Sequence, residues 1–415
     1  MDVLLFITVG LFLLVPYIRN TPLFLLLLAS YFVRLILVFT QAYYRPLFFS
    51  SDQVRFMETA EHWSARGFYN ALLYFDPTQS YVISWFAALV YSIFGVKHVL
   101  INIVMAWLGI ISVIAAYKLS LLIQGSRRDA LLIAFLFSLI PSLSIINAAY
   151  LRESFVITFF ILSIYYAARW YRNLKARHAL LSVLFLILTS IFHSAFYFLI
   201  PLYVGLFFLA SMFAAQSKYK IYGLIFIASS AIFLPLAGTV ISQSSKVIIA
   251  VNLFADDSPI FDENMSPNGL GLTQYYYPKL QTESVIKFLG SVFSRVHFFV
   301  LKPDFSMVDK ITTLPRVFDT FLFSFILGGF LFLLLINFRW VQRYHGFVLF
   351  FVLPVLMLLT IGFSLGSAEV STGQRHRLKF IGVTFVVLGS VLLCYYRERK
   401  RKRALRPGKL FPAQE

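Results

Sequence analysis

Four short stretches carry ionisable side chains directly beside long apolar runs, where such residues are rare. The stretches are FFSSDQVRFMETAEHW (48 to 63), NAAYLRESF (147 to 155), TSIFHSAFYF (189 to 198) and STGQRHRLKF (371 to 380). Ionised groups at membrane depth are costly, so they usually face a bundle interior or a water-filled cavity and mark a functional route. The plain structural explanations are a solvated connector, an ion pair at a tight turn or a hydrogen-bonded core histidine.

The last of these stretches predicts a binding site for phosphate. Arg375, His376, Arg377 and Lys379 place four cationic or potentially cationic groups within five residues. Guanidinium groups match phosphate oxygens in a bidentate way. We therefore expect these residues to bind a phosphate group at the membrane surface, with nonspecific contact to anionic lipid as the alternative.

Carboxylates in two other stretches are candidates for acid–base chemistry. Asp52 and Glu153 are the candidate catalytic residues, and Arg55, Arg152 and His193 are candidate substrate-binding residues. A carboxylate that deprotonates an acceptor, together with arginines that stabilise a departing phosphate, can transfer a group from phosphate to a hydroxyl or amine. A lipid-linked donor would explain why such a site sits in a membrane.

Composition places these residues in a polytopic membrane protein. Of 415 residues, 60% are hydrophobic and 13% are charged, whereas soluble proteins carry roughly a quarter charged residues. Crossing a bilayer takes about twenty apolar residues, and eleven segments are candidates, some of them short. They are 3 to 18, 22 to 42, 98 to 123, 130 to 150, 154 to 171, 178 to 193, 195 to 214, 220 to 240, 315 to 337, 346 to 365 and 378 to 396. We predict an all-α transmembrane bundle with amphipathic helices in its outer loops, and segment 81 to 94 as a twelfth span or an interfacial helix.

The segment around Asp52 is predicted to form an amphipathic helix that lies along the membrane surface. Ser50 and Gln53 fit a capping box, which puts Asp52 in the first helical turn. Phe56 and Ala60 share an apolar face at helical spacing, while the ionisable residues lie around another face. This helix would present Asp52 to water or to a cavity.

Positive charge predicts the orientation of the chain. The tail after Tyr396 and the connections on the same side carry Lys and Arg more densely than the other connections, which is typical of cytoplasmic segments. We predict one transmembrane domain over 1 to 396, with outer loops 43 to 97 and 241 to 314, and a disordered polybasic cytoplasmic tail over 397 to 415. The net charge of +18 is then explained by helix ends and lipid contacts, so nucleic acid is not expected as a partner.

Other polar residues along the chain have structural explanations. Arg34 and Lys118 fall in the middle of apolar segments, and each can reach the interface by snorkelling. Cys394 is expected to pack as a small residue. The acidic stretch 254 to 269 lacks the alternating spacing of a calcium loop. The sequence therefore indicates no cofactor and no metal site, and it leaves open whether a divalent metal takes part.

In their order and placement, these motifs resemble the GT-C glycosyltransferases, integral membrane enzymes that use polyprenyl-phosphate sugars, such as the protein mannosyltransferases and the aminoarabinose transferase of lipid A. The resemblance runs through SSDQVRFMETAEHW, SYVISWFAALVYSIFG, LIPSLSIINAAYLRES and GQRHRLKF and covers most of the chain. It implies a hexosyl- or pentosyltransferase that acts on a lipid or glycan acceptor. It also implies a bacterial cytoplasmic membrane location, with the active site facing outward.

The same resemblance implies individual roles. Asp52 would be the general base, Glu153 an assisting acid, and Arg375 with Arg377 the contacts to the lipid phosphate. The chain departs from the family pattern at two points. Gln53 stands where many relatives have a second acid, and no proline follows the arginine element. Because of these departures, the resemblance assigns neither an exact subfamily nor the metal dependence that a second carboxylate would support.

Two other functions are compatible with the sequence. FHSAFYFLIPLY is similar to exopolysaccharide polymerases of the EpsG kind, which act on polyprenyl-diphosphate oligosaccharides. A lipid or polysaccharide transporter would line a pathway with the same charges. Transporters often have two corresponding halves with broken helices, whereas this sequence lacks such symmetry and its charges crowd one side of the membrane.

Overall fold

The computed structural model of the protein is built from helices. It describes residues 1–44, 51–77, 81–212, 278, 284–307, 314–367 and 370–404. Within these ranges every regular element is a helix, which confirms the predicted all-α class. The α-helices are α1 (Asp2–Phe12), α2 (Thr21–Phe39), α3 (Ser51–Ser64), α4 (Phe68–Leu73), α5 (Val82–Phe94), α6 (His98–Gln124), α7 (Arg127–Ser138), α8 (Pro141–Ile146), α9 (Glu153–Asn173), α10 (Ala176–Phe192), α11 (Leu199–Met212), α12 (Val285–Leu301), α13 (Leu314–Phe347), α14 (Leu353–Leu365) and α15 (Val370–Ala404).

Several of these helices are long and apolar enough to cross a membrane. In the described part of the chain, five helical runs meet this condition: Thr21–Tyr44, His98–Gln124, Glu153–Asn173, Leu314–Leu365 and Thr372–Lys402. These long apolar runs indicate a membrane protein. The predicted number of about eleven spans is not confirmed.

Local chemistry explains part of the difference in number. The predicted span 130 to 150 is broken into α7 and α8, because Pro141 has no backbone N–H to continue the first helix and instead begins the second. The helix Ala176–Phe192 is 17 residues long and α5 is 13, both shorter than the twenty or so residues a span needs. Segment 220 to 240 and the acidic stretch 254 to 269 lie outside the described residues.

The longest helical run, Leu314–Leu365, turns back on itself. A straight helix of its 52 residues would be about 78 Å long, more than twice the hydrocarbon thickness. Its contacts with α15 include Thr320 with Arg377, Asn337 with Tyr395, and Phe363 with Phe380. The run therefore passes along α15 and has returned by Phe363. Non-helical torsions at Asn337 and His345 accompany the reversal.

The centre of the bundle is formed by α6, α9 and α15, and buried hydroxyl groups join them. Thr158 Oγ1 on α9 donates to Leu108 O on α6 at 3.0 Å, and the Ser120 and Ser390 hydroxyls link α6 to α15 at 2.9 Å. Lipid tails give helices no hydrophobic reason to associate, so close packing and hydrogen bonds of this kind hold them together. These contacts hold α9 and α15, which carry Glu153 and Arg375, against the central helix α6.

At one end of the bundle, called the site end, α3 is seated on α5. The prediction of an amphipathic helix here is confirmed, since Phe56 and Ala60 are buried and the ionisable face is turned elsewhere. Ser84 Oγ on α5 donates to Phe56 O at 2.9 Å. The capping residue proposed at Ser50 lies outside the described residues. Asp52 is in the first turn of α3, as expected.

At the opposite end, called the tail end, α15 continues beyond the predicted boundary. It ends at Ala404, so the expectation of disorder after residue 396 is wrong for 397 to 404. Arg397 forms an ion pair with the buried carboxylate of Asp129, and Lys402 lies 2.6 Å from Glu398. Residues 405–415 lie outside the described part of the chain.

Arg34 also departs from expectation. Its side chain is fully buried and donates to Ser30 O on its own helix at 3.1 Å, so it does not snorkel. A Cβ at Gly109 would clash with Arg34 and Asn147, which shows that this glycine is needed for the arginine to fit. Lys118, by contrast, is exposed and lies over the Tyr17 ring.

Candidate functional site

Three helices bring their ionisable residues together at the site end. Asp52 stands in the first turn of α3, Glu153 is the first residue of α9, and Arg375 lies on α15. A carboxylate at a helix N-terminus is stabilised by the partial positive charge there. The sequence places these residues in separate stretches, and the fold makes them neighbours.

Arg375 bridges the two carboxylates. Its Nη2 atom donates to Asp52 Oδ2 at 2.9 Å and to Glu153 Oε1 at 3.2 Å. Among the described residues, Arg375 Nε and Glu153 Oε2 have no hydrogen-bond partner. The single positive charge of this guanidinium group thus lies between two negative charges, and its Nε–H group has no acceptor among the described residues.

Further cations surround this bridge. Lys379 Nζ lies 3.8 Å from Glu153 Oε1, and Arg55 Nη2 lies 2.6 Å from Asp52 Oδ1. Arg152 interacts electrostatically with both acids, and its guanidinium lies over the Phe56 ring. The two carboxylates therefore face four cationic side chains: Arg55, Arg152, Arg375 and Lys379. We call these six residues the acid–arginine cluster.

The sequence reasoning missed Arg316, a fifth cation near the cluster. It lies in the first turn of α13 and has a like-charge interaction with Arg375. The sequence did offer a signal for Arg316: it lies at the start of an apolar run, on the side of the membrane that is predicted to be the outer one. With Arg316 included, the positive charge around the two acids increases further.

Burial differs between the two acids. Glu153 is fully buried, whereas the side chains of Asp52 and Arg375 are 24% and 22% exposed. A molecule that enters from the surface therefore reaches Asp52 and Arg375 before Glu153. Glu153 contacts Arg375 from the buried side, and Asp52 contacts it from the side that is partly open to the surface.

The electrostatic environment keeps Asp52 ionised. Burial tends to raise the pKa of its carboxyl group, but the charge and hydrogen bond of Arg375 and the charges of Arg152 and Arg55 outweigh it, so the pKa lies below its usual value. Asp52 is consequently a carboxylate at neutral pH. It is also a weak base for as long as Arg375 stays in contact with it.

Two histidines lie next to the cluster within an aromatic layer. The rings of His193 and His376 are 5.5 Å apart, and Phe363 stacks on His376 at 4.7 Å. Lys379 Nζ lies 2.8 Å from His376 Nδ1. When Lys379 is charged it is the donor in this bond, so His376 accepts and helps to orient the ammonium group towards Glu153.

Arg377 is held away from the acids. Its guanidinium donates to the backbone oxygens of Phe299 at 2.8 Å, Val300 at 3.1 Å and Lys302 at 3.0 Å, and to the Thr320 hydroxyl. These oxygens lie at the C-terminus of α12, where helix carbonyls lack intrahelical partners. Residues two apart on a helix point in nearly opposite directions, so Arg375 and Arg377 cannot both face the cluster.

Comparison with known proteins assigns no family to this chain. No known protein family and no curated protein sequence matches it. The chemistry of the site is therefore inferred from its own residues. The cluster combines an accessible carboxylate, a buried carboxylate and an excess of positive charge, which together suit an anionic reactant and a proton transfer.

The contacts of Arg377 predict that its role is structural. Arg377→Lys should destabilise the fold by about 2–3 kcal/mol, because one ammonium group cannot reach all the acceptors of a buried guanidinium. Thermal unfolding in detergent would measure this, with Arg399→Lys on the exposed face of the same helix as control. Equal stability of the two variants would contradict the structural role and return Arg377 to the candidate phosphate contacts.

Proposed function

We propose that this protein is a membrane glycosyltransferase of the GT-C type. It transfers a sugar from a polyprenyl-phosphate-linked donor to an acceptor hydroxyl or amine at the outer face of the membrane. The observation that carries this proposal is Arg375 bridging Asp52 and Glu153 inside a cluster with excess positive charge.

The excess charge supports a phosphate as the reactant. Among the described side chains of the cluster, four cations face two carboxylates, so an anion that adds negative charge beside them is bound favourably. The Nε–H group of Arg375 has no hydrogen-bond acceptor among the described residues. The Arg375 side chain is also partly exposed, so a ligand can reach it from the surface. Guanidinium groups bind phosphate through paired hydrogen bonds. The apolar helices around the site suit a phosphate carried on a lipid.

The two acids support group transfer. In the proposed step, Asp52 takes the proton of the acceptor, whose oxygen or nitrogen forms a bond to the anomeric carbon of the sugar. The bond from that carbon to the phosphate oxygen breaks, and the lipid phosphate leaves as an anion. Arg375 and Lys379 stabilise the charge that develops on the leaving group.

Donor binding also prepares the base. A phosphate that draws Arg375 towards itself weakens the hydrogen bond from Arg375 to Asp52. The pKa of Asp52 is held low chiefly by Arg375, Arg152 and Arg55 acting against burial, so partial loss of the Arg375 contact raises it towards its ordinary value. Asp52 thus becomes a stronger base when a donor is in place, which limits proton transfer to the occupied site.

The orientation follows from charge density. The tail end carries the ion-paired Arg397 and the basic continuation of α15, and positive connections favour the cytoplasm. The site end then faces outward in a bacterial cytoplasmic membrane. The proposed topology has about eleven membrane crossings. This number includes helices that are shorter than a typical span, such as Ala176–Phe192.

Sidedness is testable with introduced cysteines in a Cys394→Ser background. Ala65→Cys, just after α3, should react with a membrane-impermeant thiol reagent applied outside intact cells. Ala176→Cys, at the start of α10, should react only after permeabilisation, because it lies in a basic connection at the tail end. The opposite pattern would place the acid–arginine cluster on the cytoplasmic side and rule out an outward-facing transferase.

The role of Asp52 separates a transferase from its alternatives. Asp52→Asn keeps the shape but removes the base, so turnover should fall about a hundredfold or more while donor binding is retained. Purified protein would be incubated with polyprenyl-linked donors and its products resolved by mass. Glu58→Gln is the matched control, because Glu58 is an exposed carboxylate on the same helix.

Each alternative gives a different result in this assay. A polymerase would yield a ladder of chain lengths, whereas a transferase that adds one sugar yields a single product. A transporter would bind donor without forming product in either variant. Product formation by Asp52→Asn equal to that of the parent would remove Asp52 from catalysis.

A further inference from the structure

A cavity of about 310 Å³ lies at the site end, and its wall includes residues that are close in sequence to the two acids of the acid–arginine cluster. Its wall includes Gln53, the residue after Asp52, and Tyr150, three residues before Glu153. The remaining wall comes from Met57 on α3, from the turn that follows α2 and from the start of α6. The volume is at the small end of ligand cavities and is large enough for one or two sugar rings.

The two basic groups of the cavity wall, Lys97 and His98, have partners outside the wall. Lys97 forms an ion pair with Asp2. His98 Nε2 lies 3.2 Å from Glu61 Oε1, and its Nδ1 lies 2.8 Å from the Tyr91 hydroxyl. The cavity therefore lacks the excess positive charge of the acid–arginine cluster, so it favours a neutral ligand over a phosphate.

Asn102 provides an independent indication of a ligand. The residue is 4% exposed on the apolar helix α6, and its Oδ1 atom has no hydrogen-bond partner among the described residues. A buried acceptor without a partner is destabilising, because it has given up its hydrogen bonds to water. A ligand hydroxyl group in the cavity would satisfy it. Gln53 adds a second amide to the same wall.

The backbone at the cavity mouth is also unusual. Residues Thr40–Tyr44 form a π-helical turn at the end of α2, and it contributes Gln41, Ala42 and Tyr43 to the cavity. Single π-helical turns are rare and frequently occur at functional sites. Here the turn places an amide, a small residue and an aromatic ring at the entrance, and aromatic rings pack well against the C–H faces of sugars.

We infer that this cavity binds a neutral sugar ring, with Asn102 accepting a hydrogen bond from one of its hydroxyl groups. Its part in the reaction rests on the proposed function: the ring belongs either to the donor or to a glycan acceptor. Both sources offer the same chemistry, namely several hydroxyl groups and no charge. The position beside Asp52 and Glu153 would hold this ring close to the transfer step.

The test uses a cysteine at the cavity mouth. Ala42→Cys in a Cys394→Ser background, in lipid nanodiscs, is labelled with a maleimide in the presence of methyl glycosides of glucose, galactose, mannose or N-acetylglucosamine. At about ten times a millimolar Kd, a bound glycoside would occupy roughly 90% of sites and slow labelling about tenfold. Ala65→Cys lies outside the cavity wall and should show no protection.

Two substitutions tie the protection to the cavity. Asn102→Leu removes the acceptor and Met57→Phe fills part of the space, so each should abolish protection, and the second covers the case in which the first fails to fold. Asn70→Leu on the exposed surface should leave protection unchanged. The inference is overturned if no glycoside protects, if inorganic phosphate protects in their place, or if both cavity variants retain full protection.

Further ligands distinguish the two sources of the sugar. Protection by a polyprenyl-phosphate sugar that is lost in Arg375→Gln, while glycoside protection persists, assigns the cavity to the donor sugar. Protection by acceptor oligosaccharides alone assigns it to the acceptor. Sugar protection together with full turnover of Asp52→Asn would contradict the transferase mechanism but not sugar binding in the cavity. Loss of turnover in Asp52→Asn without any sugar protection would contradict only the proposal that the cavity binds a sugar.

Discussion

The contact of one arginine with two acids is the interaction on which the site depends. Arg375 on α15 holds Asp52 on α3 and Glu153 on α9, so a single guanidinium group fixes the relative positions of three elements that are far apart in sequence. Taking any one of these charges away leaves the others poorly compensated in a partly buried setting, which is costly. Ion pairs therefore hold the cluster together. Its described side chains carry more positive than negative charge, which favours the binding of an anion.

The surrounding structure determines how Arg375 is presented. Arg377 is bonded to the carbonyl groups at the end of α12 and to Thr320 on α13, which fixes the rotation of α15 about its own axis. Because Arg375 lies on nearly the opposite side of that helix, it is turned towards the acids. The buried hydroxyl contacts of α15 and α9 with α6 hold the helices at constant spacing. Two arginines of one short motif thus have different contacts: Arg377 is bonded to α12 and α13, and Arg375 is bonded to the two acids.

Much of this arrangement was predictable from the sequence, for physical reasons. Ionised residues beside apolar runs are costly unless they meet partners, so Asp52, Glu153 and Arg375 could be expected to share one side of the membrane. The helix that carries Asp52 was visible in its apolar spacing. The different contacts of Arg375 and Arg377 could not be predicted from the sequence, because they depend on the rotation of α15 against its neighbours. The Asn102 cavity and the burial of Arg34 likewise depend on packing between helices that are distant in sequence.

The most direct test of this account is the affinity of a polyprenyl phosphate for the purified protein. Arg375→Lys keeps the charge but loses the planar fork, so binding should weaken by about 1.5–3 kcal/mol, roughly tenfold to a hundredfold. Arg399→Lys, at the tail end of the same helix, should bind like the parent. Titration calorimetry in detergent or nanodiscs would give the three affinities. Equal affinity of Arg375→Lys and the parent would contradict a phosphate contact at Arg375 and, with it, the transferase mechanism built on that contact.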